Sequence, residues 1–189
     1  MKNIYIVLFS LVLGISTCFG QGFKAPADGK AVVYFARVSS MGFMAGFSLF
    51  HQEKYIGKVS AGAYVRYECE PGEQLFWASA ENRAFVTADL KAGESYIVIV
   101  DVNMGAMSAR VGLSPVTSES KVFERARKTI LRMKPLVGNQ KSIAKRGKKL
   151  EAKGWIKDKL THYEANLKGT ERVKHLSDEM IVPKDKLKK

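Results

Sequence analysis

Apolar and polar positions alternate with a period of two over most of residues 30–113. That period puts unlike side chains on the two faces of a β-strand. It is clearest in EKYIGKVSAGAYVRYECEPGEQLFWASAE, residues 53–81. There Val65, Tyr67 and Cys69 alternate with Tyr64, Arg66, Glu68 and Glu70. Pro71-Gly72 breaks the run, because proline fixes one turn position and glycine supplies the positive φ another requires. Leu75, Trp77 and Ser79 then resume the alternation against Phe76, Ala78 and Ala80. The stretch reads as a β-meander. The same reading predicts strands at 30–38, 47–51, 55–59, 64–70, 75–80, 83–90, 96–102 and 107–113. YIVIVDV at 96–102 is the most apolar run and predicts a central strand. Eight short strands at roughly even spacing predict a β-sandwich or a small barrel.

The period changes after Ser118. Val122, Ala126, Ile130 and Met133 recur at helical spacing, with Arg125, Lys128 and Arg132 on another face. Ser118 and Ser120 are candidate N-caps, and Pro135 stops the helix. After a Gly138-Asn139 turn, Ile156, Leu160, Tyr163 and Leu167 form a second stripe. Val173, Leu176 and Met180 form a shorter one, ended by Pro183. Gly147, Gly154 and Gly169 divide this region into short helices. The fold class is therefore mainly β: a β-sandwich followed by two to three basic α-helices that pack on it or on one another. Residues 21–116 are expected to be a sandwich domain able to fold alone, and residues 117–189 a basic helical tail.

Turn positions in the β unit carry a resemblance. Val33-Tyr34-Phe35-Ala36-Arg37, Ile56-Gly57, Gly62-Ala63-Tyr64, Pro71-Gly72 and Gly93-Glu94-Ser95-Tyr96 stand at spacings that resemble a family of small bacterial envelope proteins. Many of its members are lipoproteins, and their shared module is a domain of unknown function. The hairpin ending at Pro71-Gly72 also resembles PEGA-type surface modules. The resemblance covers about residues 29–116 and rests mostly on turn glycines. It implies an envelope location and a β-sandwich, and no catalytic residues. Members often carry a histidine two residues after Pro-Gly, where this chain has Gln74.

Charge divides the chain in the same place as the period does. The 189 residues carry a net charge of +13, with hydrophobic content of 46%, and that length suits one core of about 100–150 residues plus an appendage. Residues 1–20 hold one basic residue, Lys2, and residues 21–116 hold nine basic and nine acidic. Residues 117–189 hold 21 basic against nine acidic, a net +12. The chain reads as a neutral β unit with a basic tail.

Residues 1–20 have the form of a targeting segment. Lys2 precedes the uncharged run 4–15, and Cys18-Phe19-Gly20 offers a small-residue cleavage site before Gln21. The reading is a secretory signal peptide, so the mature chain is expected to be exported: periplasmic, associated with the outer membrane, or secreted. An N-terminal anchor and a lipoprotein signal share the segment. In the latter the Cys18 thiol is lipidated, although Thr17 is a poor fit before such a cysteine. After cleavage Cys69 stands alone, without an intrachain disulfide partner.

Recognisable chemistry is sparse. His51, His162 and His175 lack zinc-ligand spacing, and no nucleophile elbow, P-loop or dinucleotide fingerprint occurs. No cofactor is implied. Glu68 and Glu70 beside Arg66 read as exposed charges, and His51 as a turn-facing polar residue. Two candidate sites remain. Lys145, Arg146, Lys148 and Lys149 read either as a solvated helix face, the commonest use of such a run, or as a contact for an anionic surface, a phospholipid or an envelope polyanion. Met41, Phe43 and Met44, in the loop SSMGFMAG, suit a partner such as an envelope protein, or fold back as a lid over one end of the core. Nucleic acid ranks last, because export makes it scarce and the tail has few aromatic residues for stacking. The expected function is non-enzymatic binding or structural work in the envelope. The alternative is an enzyme with a site between sandwich and tail.

Overall fold

The computed structural model describes residues 22–42, 44–104, 109–136 and 138–188. Nine strands among these residues form two sheets packed face to face. They are β1 (Ala31–Arg37), β2 (Phe47–His51), β3 (Lys54–Val59), β4 (Ala63–Cys69), β5 (Gly72–Ser79), β6 (Arg83–Leu90), β7 (Ser95–Met104), β8 (Ala109–Pro115) and β9 (Lys174–Leu176). One sheet has the order β4-β1-β7-β8 and the other β3-β2-β5-β6-β9. Both are mixed, because β1 runs parallel to β7 and β9 parallel to β6. Of the expected strand 107–113, Met107 and Ser108 lie outside the described residues.

The alternation explains the layers. Val33 and Phe35 of β1, Leu49 of β2, Val65 and Cys69 of β4, Phe76 of β5 and Val98 of β7 point inward and share one buried cluster. The opposite faces are not solvated. Val32, Tyr34, Ala36, Ile97 and Ile99 are also buried, under Phe123, Ala126 and Ile130 of α1 (Lys121–Arg132). Phe50, Trp77 and Phe85 are buried under Ile156 and Tyr163 of α3 (Trp155–Asn166). Trp77 stacks on Phe50 with ring centroids 3.9 Å apart, and its indole N–H donates to Gln52 O at 2.9 Å. The 117–189 segment thus covers an outer face of each sheet, which is why β1 is buried along its whole length.

Three features of the tail differ from the expectation. The stripe Val173, Leu176 and Met180 is not a helix. It is β9 followed by a 3-10 turn, Asp178–Met180, with Leu176 buried in the sandwich interior. Three apolar residues at spacings of three and four fit a helix, but β6 offers an open parallel ladder and the tertiary pairing wins. Gly147 does not divide two helices; it lies inside α2 (Gln140–Ala152), whose N-cap Asn139 accepts from Lys141 N–H at 3.0 Å. The helix packs closely there, for a side chain on Gly147 would meet Tyr55 Cβ at 3.7 Å. Ser120 rather than Ser118 caps α1.

The two ends of the sandwich are built differently. At the end where β1 leaves and β4 begins, Ala45 packs against the interior cluster. At the other end, His51 of β2 pairs with Phe76 of β5, and the ladder continues to Gln52 N–H, which donates to Leu75 O at 2.8 Å.

Candidate anionic-surface site and the two ends of the sandwich

α2 supplies the cationic site. Ile143, Gly147 and Leu150 are its half-buried inner stripe, against Tyr55 and α3. A turn of 3.6 residues therefore carries Lys141, Lys145 and Lys148 along the opposite face at i, i+4 and i+7. Lys149 stands beside them and all four are exposed. Arg146 is also exposed and lies on the flank, lining a groove with Lys58, Ser60 and Asn139. None of these cations pairs with a carboxylate among the described residues. Repulsion between stacked lysines costs a few tenths of a kcal/mol per pair. That leaves the face ready for an external anion. The linear run 145–149 located this face but missed Lys141, one helical turn before Lys145.

α1 carries a second ridge of the same kind. Lys121, Arg125, Lys128 and Arg132 are exposed, at i, i+4, i+7 and i+11, opposite the buried Phe123, Ala126 and Ile130. Arg127, by contrast, faces Glu124 at 3.7 Å and donates to Lys186 O and Lys188 O at 2.7 Å, so it ties the C-terminal segment to the helix.

The 39–46 loop is fixed by a buried arginine. Arg37 is fully buried on the inner face of β1. Its guanidinium donates to Met41 O and Gly42 O at 2.8 Å each and to Ala45 O, and lies 4.5 Å from the centroid of the Phe47 ring. Carbonyl dipoles and the ring face thus take the place of a carboxylate. Gly42 adopts φ 59 in this turn. The Met41 and Met44 side chains are left outside, 50% and 87% exposed. Phe43 lies outside the described residues, as does Cys18.

At the opposite end, a cleft of about 860 Å³ runs between the sandwich and α3, lined by His51, Lys54, Tyr67, Cys69, Leu160 and Glu164 among others. His51 is not turn-facing. It stacks on Phe76 at 4.8 Å and bonds Gln74 Oε1 through Nε2 at 2.6 Å and Tyr67 Oη through Nδ1 at 3.0 Å. The Gln74 amide is oriented by its N–H bond to Glu70 O at 3.1 Å. Nε2 is then the protonated nitrogen and Nδ1 accepts from the tyrosine hydroxyl. Burial, with Lys54 adding to it, holds the imidazole below its ordinary pKa of 6.5, so it stays neutral near pH 7. Burial also pushes the Cys69 thiol up to about 11 and the Tyr67 hydroxyl up to about 12. A thiol so shifted supplies little thiolate, and both imidazole nitrogens are already engaged.

Neighbouring carboxylates are paired rather than poised. The Arg66 guanidinium lies 2.6 Å from Glu68 Oε1, and this bond holds the Glu68 carboxyl below the usual carboxylate range. Glu70 pairs with Lys30. Among the described residues no three His, Cys, Asp or Glu side chains converge as metal ligands. No helix among them is long and apolar enough to cross a membrane. No family model and no curated protein matches this chain.

Proposed function

We propose that the protein is an exported, non-enzymatic component of the bacterial envelope, a β-sandwich that holds basic helices against an anionic surface. The observation that carries the reading is the exposed ridge Lys141, Lys145 and Lys148 with Lys149 beside it, free of intramolecular carboxylate partners among the described residues. Each cation near an anionic membrane contributes on the order of 1 kcal/mol. Four therefore supply about 4 kcal/mol, enough for reversible retention. The rigid core supports this use, because α2 is held to the sandwich by Ile143 and Leu150 and its charges stay in register. The envelope location is supported by the form of residues 1–20 and by the resemblance of residues 29–116 to envelope modules.

Replacing Lys145, Arg146, Lys148 and Lys149 by Gln keeps helix propensity and removes four charges. Co-sedimentation with vesicles containing phosphatidylglycerol, or with lipopolysaccharide, is expected to fall at least about tenfold in the variant. Binding of the parent chain is expected to fall as salt rises. Equal sedimentation of parent and variant at low salt would overturn the proposal.

The competing reading places an enzyme in the His51 cleft. What favours it is the position of that cleft, between sandwich and tail. What weighs against it is the chemistry of its residues, a neutral, doubly bonded imidazole and a thiol with a raised pKa.

A further inference from the structure

Four large hydrophobic side chains are exposed among the described residues, Met41, Met44, Met133 and Leu136. All four lie at one end of the sandwich. Met41 and Met44 sit on the loop pinned by Arg37, the last residue of β1. Leu136 N–H donates to Tyr64 O, Tyr64 Oη bonds Met133 O, and Tyr64 is the register partner of Ala36. Arg125 of α1 reaches Val38 O at 3.4 Å from the same side. Among the described residues, 38–42, 44–46, 58–62, 80–83, 109–110, 132–136 and 138–141 lie at this end. They carry Lys58, Arg83, Arg110, Arg132, Lys134 and Lys141 against one carboxylate, Glu81. The C-terminus of the α1 ridge and the start of the α2 ridge both meet here, with Met133 and Leu136 on the connection between them.

We propose that this end is the membrane-contacting end. Met41, Met44, Met133 and Leu136 enter the headgroup layer of an anionic phospholipid bilayer while the surrounding cations meet lipid phosphates. The inference rests on the anionic-surface reading above and narrows the surface to a bilayer. Three features select this occupant. Met44, 87% exposed, and Met41 protrude from their loop, which suits a deformable medium, while Leu136 lies at the rim of the groove that Arg146 and Lys58 line. Cations surround them, the arrangement of an interfacial contact in which apolar groups insert and basic groups stay at the phosphate level. A second copy of the chain would instead bring two sets of like charges together, which is repulsive. Arg37 ties down the backbone at Met41, Gly42 and Ala45, which reduces the ordering entropy lost there on insertion.

The experiment uses the full chain, vesicles of phosphatidylcholine with and without phosphatidylglycerol, and immobilised polyphosphate as an anion without a bilayer. The variant carries Met41→Ser, Met44→Ser, Met133→Ser and Leu136→Ser, all at exposed positions. The variant is expected to hold polyphosphate like the parent and to partition onto phosphatidylglycerol vesicles about tenfold less, for four partly inserted side chains. Added salt is expected to release the variant from these vesicles before it releases the parent. Equal partition of the two proteins would overturn the inference and leave the anionic-surface reading standing. Parent binding to polyphosphate but not to vesicles would do the same and point to an acidic protein or glycan. Parent binding to neither would overturn both. Surface pressure of a phosphatidylglycerol monolayer needs no variant. It is expected to rise on addition of the parent, and an unchanged pressure with protein adsorbed contradicts insertion.

Discussion

His51 shows what a single residue contributes when its surroundings decide its protonation. Its neutral imidazole accepts from Tyr67 and donates to Gln74, and protonation would remove the acceptor that Tyr67 needs. Burial lowers its pKa in the fold from the ordinary 6.5. Between the folded value and 6.5 the unfolded chain therefore binds the proton more readily than the folded one. The stability this residue contributes is fully present above about pH 6.5 and is lost as pH falls through the folded pKa. Melting temperature is expected to drop on acidification from about pH 7.5 to about pH 5.5, and His51→Gln is expected to flatten that slope. An unchanged slope in the variant would show that the imidazole is not held neutral. The sequence places His51 at a strand end and stops there, because its partners lie 16 and 23 residues away. Arg37 is a similar case. Its place on the same face as Val33 and Phe35 in the alternation is legible, but the three carbonyls that hold it belong to a loop whose path only the fold defines.

Among the elements, the strands were legible and the short tail segments were not. Period-two alternation between turn residues located the eight expected strands to within a few residues, because one face of each lines a single interior. β9 was read as helix since three residues cannot display a period of their own. Its identity comes from the register Val86↔Lys174, Thr87↔His175 and Ala88↔Leu176. Gly147 misleads in the other direction: it weakens a helix by a fraction of a kcal/mol but does not end one, and α2 runs through it beside Tyr55. The packing of β9 has a direct test. Leu176 is 0% exposed, so Leu176→Ala is expected to cost about 3 kcal/mol in urea unfolding. A loss below about 0.5 kcal/mol, the level of a surface substitution, would mean that β9 is not part of the core.

For the whole molecule, the division by charge and the division by packing do not coincide. Residues 21–116 are neutral and 117–189 carry +12, yet the tail completes one sheet and covers an outer face of each. The basic helices are thus rigidly mounted, with their apolar stripes consumed by the sandwich and their cations left outward. That amphipathic division is visible in the sequence for α3 and in part for α1: the spacing finds Ala126 and Ile130 but misses Phe123, and Met133, expected on the same stripe, is 47% exposed beyond the helix end. The arrangement of charge in space was not visible, since Lys141 joins Lys145 and Lys148 only once α2 has formed, and Met133 approaches the β1 exit only once α1 has docked. Lysine footprinting tests the anionic-surface account most directly. The full chain is acetylated with and without phosphatidylglycerol vesicles, and each lysine is read by mass spectrometry. The account predicts protection of Lys141, Lys145, Lys148 and Lys149, with Lys30 and Lys91 at the far end of the sandwich as reactive as before. Vesicle-bound protein whose α2 lysines stay fully reactive would contradict it.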